Sequence, residues 1–152
     1  MTFSTDHGGL AFSCDDAKLS IGASTWNTKL SQLGSMRGKV YIVTAGLVDL
    51  NYLSRIIGKR PSDIFIVAHS DARVEAEALK ALFPNVSIAL HPRNNAKVVL
   101  IAPSTVWISS ADFGKSESFE AGIGLHSTVA FASMVENVFA KLWAESVAVD
   151  LA

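Results

Sequence analysis

Four polar residues between positions 95 and 112 stand at spacings that could hold an oxyanion: Asn95, Lys97, Ser110 and Asp112. Alternate residues of a strand face the same side of a sheet. Asn95 and Lys97 therefore project together, and Ser110 and Asp112 do the same at the end of the following strand. Two strand ends meeting this way make an anion site geometrically reasonable. The reactive group is missing. The Asn95 amide donates and accepts hydrogen bonds but is neither a useful nucleophile nor a proton shuttle. The Asp112 carboxylate would repel a bound phosphate unless Lys97 lies between them.

Histidine is the side chain whose ordinary titration range suits nucleophilic or acid–base work near neutrality. His91 precedes Asn95 by a short loop and is the candidate substitute nucleophile. Pro92 stiffens that turn, however, and no strand register sets His91 beside Lys97. His69 ends a strand at the edge where open α/β sheets bind ligands, a place also common for structurally satisfied histidines. His7 and His126 have no partner that the sequence identifies. The four histidines and the single Cys14 lack metal-ligand spacing, so no zinc site is expected. No phosphate-cradling GxxxxGK loop occurs, and no cofactor is expected. Gly122 and Gly124 alternate within a strand, a pattern of close packing rather than ligand contact.

The elements that must position these residues alternate between short apolar runs and helical patterns, the habit of a layered α/β domain. Residues 39–45 and 63–69 read as buried strands. Between them Leu47, Leu50, Leu53, Ile56 and Ile57 fall at helical spacing, ended by Gly58 and Pro61. Asp71 is the expected N-cap of a helix running to about Leu82, closed by Pro84. Residues 86–90 form a third strand, followed by the loop His91-Pro92-Arg93-Asn94. Residues 97–101 and 106–109 read as a hairpin turning at Ala102-Pro103-Ser104-Thr105, and residues 121–126 as another strand. A final helix from about Thr128 to Glu145 stacks Phe131, Val135, Val138, Phe139 and Leu142 on one face. Nearer the start, Leu10 to Ser13 and Leu19 to Ala23 read as short strands and Trp26 to Leu33 as a helix. No repeat or linker divides the chain, which reads as one domain over residues 1–152.

The stretch NAKVVLIAPSTVWISSADFGKSESFE, residues 95–120, resembles the signature of the phospholipase D superfamily, H-x-K-x4-D-x6-G-S-x-N followed by a glutamate. Lys97 and Ser110 match the family's lysine and serine, Asp112 stands at the asparagine, and Glu120 opens an apolar strand as the family's glutamate does. The departures lie at Asn95 for the nucleophilic histidine, Ala102 for the structural aspartate and Ser109 for the glycine that lets the backbone approach closely. The resemblance implies a layered α/β/α sandwich with a central mixed β-sheet. In that family a histidine attacks a phosphodiester, a second motif's histidine protonates the leaving oxygen, and the lysine, serine and asparagine hold the non-bridging oxygens. Fixed donors of that kind stabilise the transition-state charge. It also implies homodimers that bring two motifs together across a two-fold axis. The expected site is Asn95, Lys97, Ser110, Asp112 and Glu120, with His91 and Ser109 as substrate-binding neighbours around one cavity.

Composition bounds the function. A length of 152 residues fits one core. A hydrophobic content of 49% with a mean hydropathy of +0.32 suits a chain that covers apolar surface by pairing with a copy of itself. No apolar run approaches the roughly 20 residues of a membrane span, and the opening residues do not read as a secretory signal. One cysteine fits a reducing, cytoplasmic compartment. A net charge of -1 argues against a strongly basic nucleic-acid binder but leaves room for a local patch at Arg55, Lys59 and Arg60 or at His91, Arg93 and Lys97.

The expected function is a degenerate phospholipase-D-like module, homodimeric, binding a phosphodiester, nucleic acid or protein with little or no catalysis. The alternative is an active phosphodiesterase or nuclease working through His91, or a chain in which Asn95 is an altered catalytic histidine. A pure interaction protein, such as a small phage or mobile-element factor, is the third reading.

Overall fold

The runs VYIV, IFIVAH and SIALH form strands because β-branched and apolar side chains suit a pleated surface covered on both sides. They are β2 (Val40–Val43), β3 (Ile64–His69) and β4 (Ser87–His91), paired in parallel. The computed structural model describes residues 2–14, 16–22, 33, 37–60, 62–114 and 116–151. On the far side of β2 an antiparallel meander follows: β5 (Val98–Ile101), β6 (Thr105–Ser109) and β7 (Ala121–His126), with β1 (Ala17–Ile21) beyond β7. The two-residue β8 (Val147–Ala148) pairs antiparallel with β4. Among the described residues the mixed sheet thus has eight strands in the order β1-β7-β6-β5-β2-β3-β4-β8.

Helices cover both faces, giving the expected α/β/α layering, and the two cores differ in chemistry. On one face lie α1 (Leu50–Ile57) and α2 (Arg73–Leu82). Leu53, Ile56, Ile57, Ala76 and Leu79 pack there on Ile42, Ile64, Ile66 and Ile88, an aliphatic layer. On the other face α3 (Thr128–Met134) runs through a π-helical segment, Val135–Phe139, into α4 (Ala140–Ala144). That layer is aromatic: Tyr41 stacks on Phe65 with ring centroids 5.5 Å apart, and Phe139 on Trp143 at 5.7 Å. Among the described residues no helix is long and apolar enough to cross a membrane.

The hairpin and the strands at residues 39–45, 63–69, 86–90 and 121–126 stand where their sequences place them. Gly124 explains itself: a Cβ there would lie 1.9 Å from the Trp107 ring, its cross-strand neighbour. Several local expectations need correction. The first helix starts at Leu50 rather than Leu47, because the Asp49 carboxylate accepts the Tyr52 amide at 3.1 Å and caps it. Asp71 is not an N-cap; it lies in a 3-10 turn, Ser70–Ala72, where His69 Nδ1 accepts the Asp71 amide at 3.0 Å. Leu10 to Ser13 is not a strand, and β1 is shifted to Ala17–Ile21. The expected helix from Trp26 lies outside the described residues except at Leu33, which is buried in a turn.

The final helix is not one regular cylinder. A π turn holds one extra residue, which rotates everything after it relative to a strict 3.6-residue period. Phe131, Met134, Val135, Phe139, Leu142 and Trp143 therefore meet the core, while Val138 leaves it for the wall of a groove.

Candidate functional site

The residues of the 95–120 stretch separate into two open pairs and one internal fastening. At the end of β4 the chain turns through residues 92–96 and enters β5, so Asn95 and Lys97 sit just ahead of that strand. The Lys97 ammonium donates to Asn95 Oδ1 at 3.3 Å, as expected for residues two apart on one side. Asn95 is exposed and Lys97 half-buried. Across the ladder the Ser109 amide donates to the Lys97 carbonyl at 3.1 Å, which makes Ser109 the direct neighbour of Lys97. The Ser109 hydroxyl accepts the Ala111 amide at 3.0 Å.

Ser110 belongs to the second pair. Its hydroxyl donates to Glu120 Oε2 in a short hydrogen bond and accepts the Ala121 amide at 2.9 Å. Glu120 Oε1 accepts the Ser116 hydroxyl at 3.1 Å, so two serines hold this carboxylate. Among the described residues no ion pair joins Lys97 to Glu120.

Asp112 turns inward. Its Oδ1 accepts the Ala45 amide at 3.1 Å and the Gly46 amide at 3.1 Å, and lies 3.3 Å from the Thr44 hydroxyl oxygen. It thereby ties the loop after β2 to the segment after β6. A Cβ at Gly46 would lie 3.2 Å from Asp112 Oδ2, a tight contact that glycine avoids. Thr44, fully buried, donates its hydroxyl to the Gly46 carbonyl at 2.9 Å and accepts the Phe113 amide at 2.9 Å. Asn94, 4% exposed, donates to the Thr44 carbonyl at 2.7 Å and accepts the Ala96 amide at 3.0 Å. Buried polar groups satisfied on every side fix the loops they join.

His91 does not swing toward Lys97. The ring is 5% exposed, its Nδ1 accepts the Arg93 amide at 3.1 Å, and its Nε2 lies 3.1 Å from Glu145 Oε2. An accepting Nδ1 leaves the neutral ring's proton on Nε2, which donates to Glu145. His126, without a partner in the sequence reading, has one in Asp16, whose Oδ2 is 2.5 Å from Nδ1.

Two clefts meet at Asn95. The larger, about 730 Å³, lies over the carboxyl ends of the three parallel strands, where α/β sheets place ligands. Residues 45–50, His69, Asp71, Glu75 and Arg93 to Asn95 wall it. The smaller, about 400 Å³, runs between Arg93–Ala96 and the last helical segments. Lys97, Ser110 and Glu120 line neither cleft, so the expected ring of residues around one cavity is replaced by two bonded pairs at adjoining strand ends beside them. Among the described residues no cluster of three or more histidine, cysteine or acidic side chains stands together to hold a metal ion.

Asn94 and Thr44 were not visible in the sequence as parts of the site. Asn94 and Thr44 carry no spacing signal, since their roles depend on contacts 50 residues apart in the chain. Arg93 was legible only as one of a basic run. In the other basic run, Arg55 lies 5.9 Å from the Tyr52 ring centroid and Arg60 donates to the Gly38 carbonyl.

Strand order, layering and the arrangement at the ends of β5 and β6 define an α/β protein with the phospholipase-D-like fold. Its backbone is similar to that of Nuc from Salmonella typhimurium, a phospholipase D family member, with a TM-score of 0.71 at 15% identity over 90% of this chain and 100% of that one. NucT from Helicobacter pylori gives 0.67 at 17% identity, covering 88% of this chain and 100% of that chain. TrmBL2, an archaeal chromatin protein described as binding DNA in a novel mode, gives 0.67 at 13% identity over 88% of this chain and 54% of its own. No protein-family model matches the sequence, and no curated protein matches it by sequence.

Proposed function

We propose that the chain is a single-domain, homodimeric phosphodiester-binding module with little or no catalysis, and that its ligand is nucleic acid. The observation that carries this reading is the Asn95–Lys97 pair: an amide stands where the resembled family has its nucleophile, bonded to a lysine kept at the surface. An ammonium beside amide and hydroxyl donors binds phosphate oxygens, whereas the resembled family's route to cleavage runs through an imidazole nucleophile that an amide cannot replace. Fold likeness to a DNA-binding chromatin protein supports a nucleic-acid ligand. The alternative nucleophile, His91, is buried with both ring nitrogens occupied, which favours binding over turnover.

The test combines binding and cleavage. Labelled single-stranded DNA, duplex DNA and a chromogenic phosphodiester are presented to the wild type, Lys97→Ala and Asn95→His, and sedimentation gives the mass. The wild type binds DNA as a dimer without cutting it, Lys97→Ala binds about tenfold more weakly, a loss on the order of one charge-assisted phosphate contact, and Asn95→His acquires cleavage. Cleavage by the wild type that disappears in His91→Ala contradicts the reading. DNA binding unaltered in the Lys97→Ala, Ser110→Ala double variant assigns the chain to protein interaction instead.

A further inference from the structure

The smaller groove holds two cations that the motif does not include. Arg93, from the loop after β4, and Lys141, from α4, line it from opposite sides, and both are exposed. Neither has an ion-pair partner among the described residues. The one carboxylate in the groove, Glu145, is turned to the His91 ring at 3.1 Å. Asn94, Asn95 and Asn137 also line the groove. Of these, Asn94 is bonded to Thr44 and Ala96, and the Asn137 amide donates to the Ser133 hydroxyl at 3.1 Å.

The π-helical segment supplies part of the groove wall: Asn137 and Val138 belong to it, and Lys141 and Leu142 follow in α4. Insertions of this kind recur where a helix serves a function. The groove begins at Asn95 and Ala96, so it opens from the Asn95–Lys97 pair rather than standing apart from it.

We infer that the Arg93–Lys141 groove is a second phosphate subsite, and that with Lys97 it forms a track for successive phosphates of one single-stranded nucleic acid. The inference rests on the proposed function and deepens it. Arg93 supplies a planar guanidinium for two phosphate oxygens and Lys141 a point charge across from it. An open groove between a loop and a helix, lined by two cations and continuous with Asn95, suits a flexible single strand whose successive phosphates can follow it.

The experiment follows binding of thymidine dinucleotide and of a long oligothymidylate by fluorescence anisotropy across a salt series. It uses the wild type, Lys97→Ala, Arg93→Gln with Lys141→Gln, and Lys59→Gln as a surface-charge control, each checked for an unchanged circular dichroism spectrum. The double glutamine variant should keep the dinucleotide affinity and bind the long oligomer roughly tenfold more weakly, with a salt slope lower by about 1.4, at about 0.7 per single-strand phosphate released from its counterions. Lys59→Gln should match the wild type. A double variant with wild-type slope and affinity overturns the second subsite while leaving the Lys97 reading intact. Oligomer binding weakened in Lys97→Ala but unchanged in the double glutamine variant does the same. No oligomer binding by the wild type overturns both, and tighter binding to anionic vesicles than to oligomer overturns the nucleic-acid assignment.

Discussion

Two regions set one residue apart in the chain meet opposite fates. Asn94 and Asp112 point into the fold and fasten the loops after β2, β4 and β6 around Thr44. Asn95, Lys97 and Ser110 stay toward the surface, Lys97 bonded to Asn95 at 3.3 Å and Ser110 to Glu120. The first region is a network in which side chains bond the backbone of three loops, with Thr44 and Asn94 buried and Asp112 half-buried. The second keeps charge within reach of solvent. The contrast teaches that a motif's spacing marks where two strand ends come together but not which of its residues faces a ligand.

Substitution separates the two regions most sharply at Asp112. Asp112→Ala leaves the Ala45 and Gly46 amides without their acceptor, and should cost about 3 kcal/mol in urea unfolding. A loss below about 0.5 kcal/mol, the level of an ordinary surface change, erases the distinction. Asn94→Ala strands the Thr44 carbonyl and the Ala96 amide and should cost about 2 kcal/mol by the same measurement. Lys97→Ala should leave the unfolding midpoint where it is and weaken DNA binding about tenfold, the reverse profile. Ser110→Ala, which removes a hydroxyl shared by Glu120 and Ala121, should change DNA affinity by about twofold and the unfolding midpoint little.

Much of the fold was legible because its strands announce themselves. Apolar β-rich runs at 39–45, 63–69 and 86–90 can only be buried on both faces, and the hairpin turns where Pro103 stands. The π turn was not legible: Val138 fits the helical period perfectly, and only packing of the aromatic layer against the sheet moves it outward. Nor was β8, two residues long, visible in composition. At the site, the pairing of Asn95 with Lys97 followed from strand alternation alone. Asp112 had a sequence neighbour's look and a tertiary role, because its partners lie more than 60 residues earlier in the chain. His69 and His91 show the same limit, since each is committed by backbone amides that no spacing rule reveals.

The central claim is that the surface around Lys97 receives phosphate without an attacking group. Amide chemical-shift mapping of the wild-type chain, titrated with a single-stranded dinucleotide, tests it most directly. The account predicts saturable shifts at Asn95, Lys97, Ser109 and Ser110 with the dinucleotide intact at the end of the titration. Shifts confined to other surfaces, or a dinucleotide hydrolysed during the experiment, contradict it.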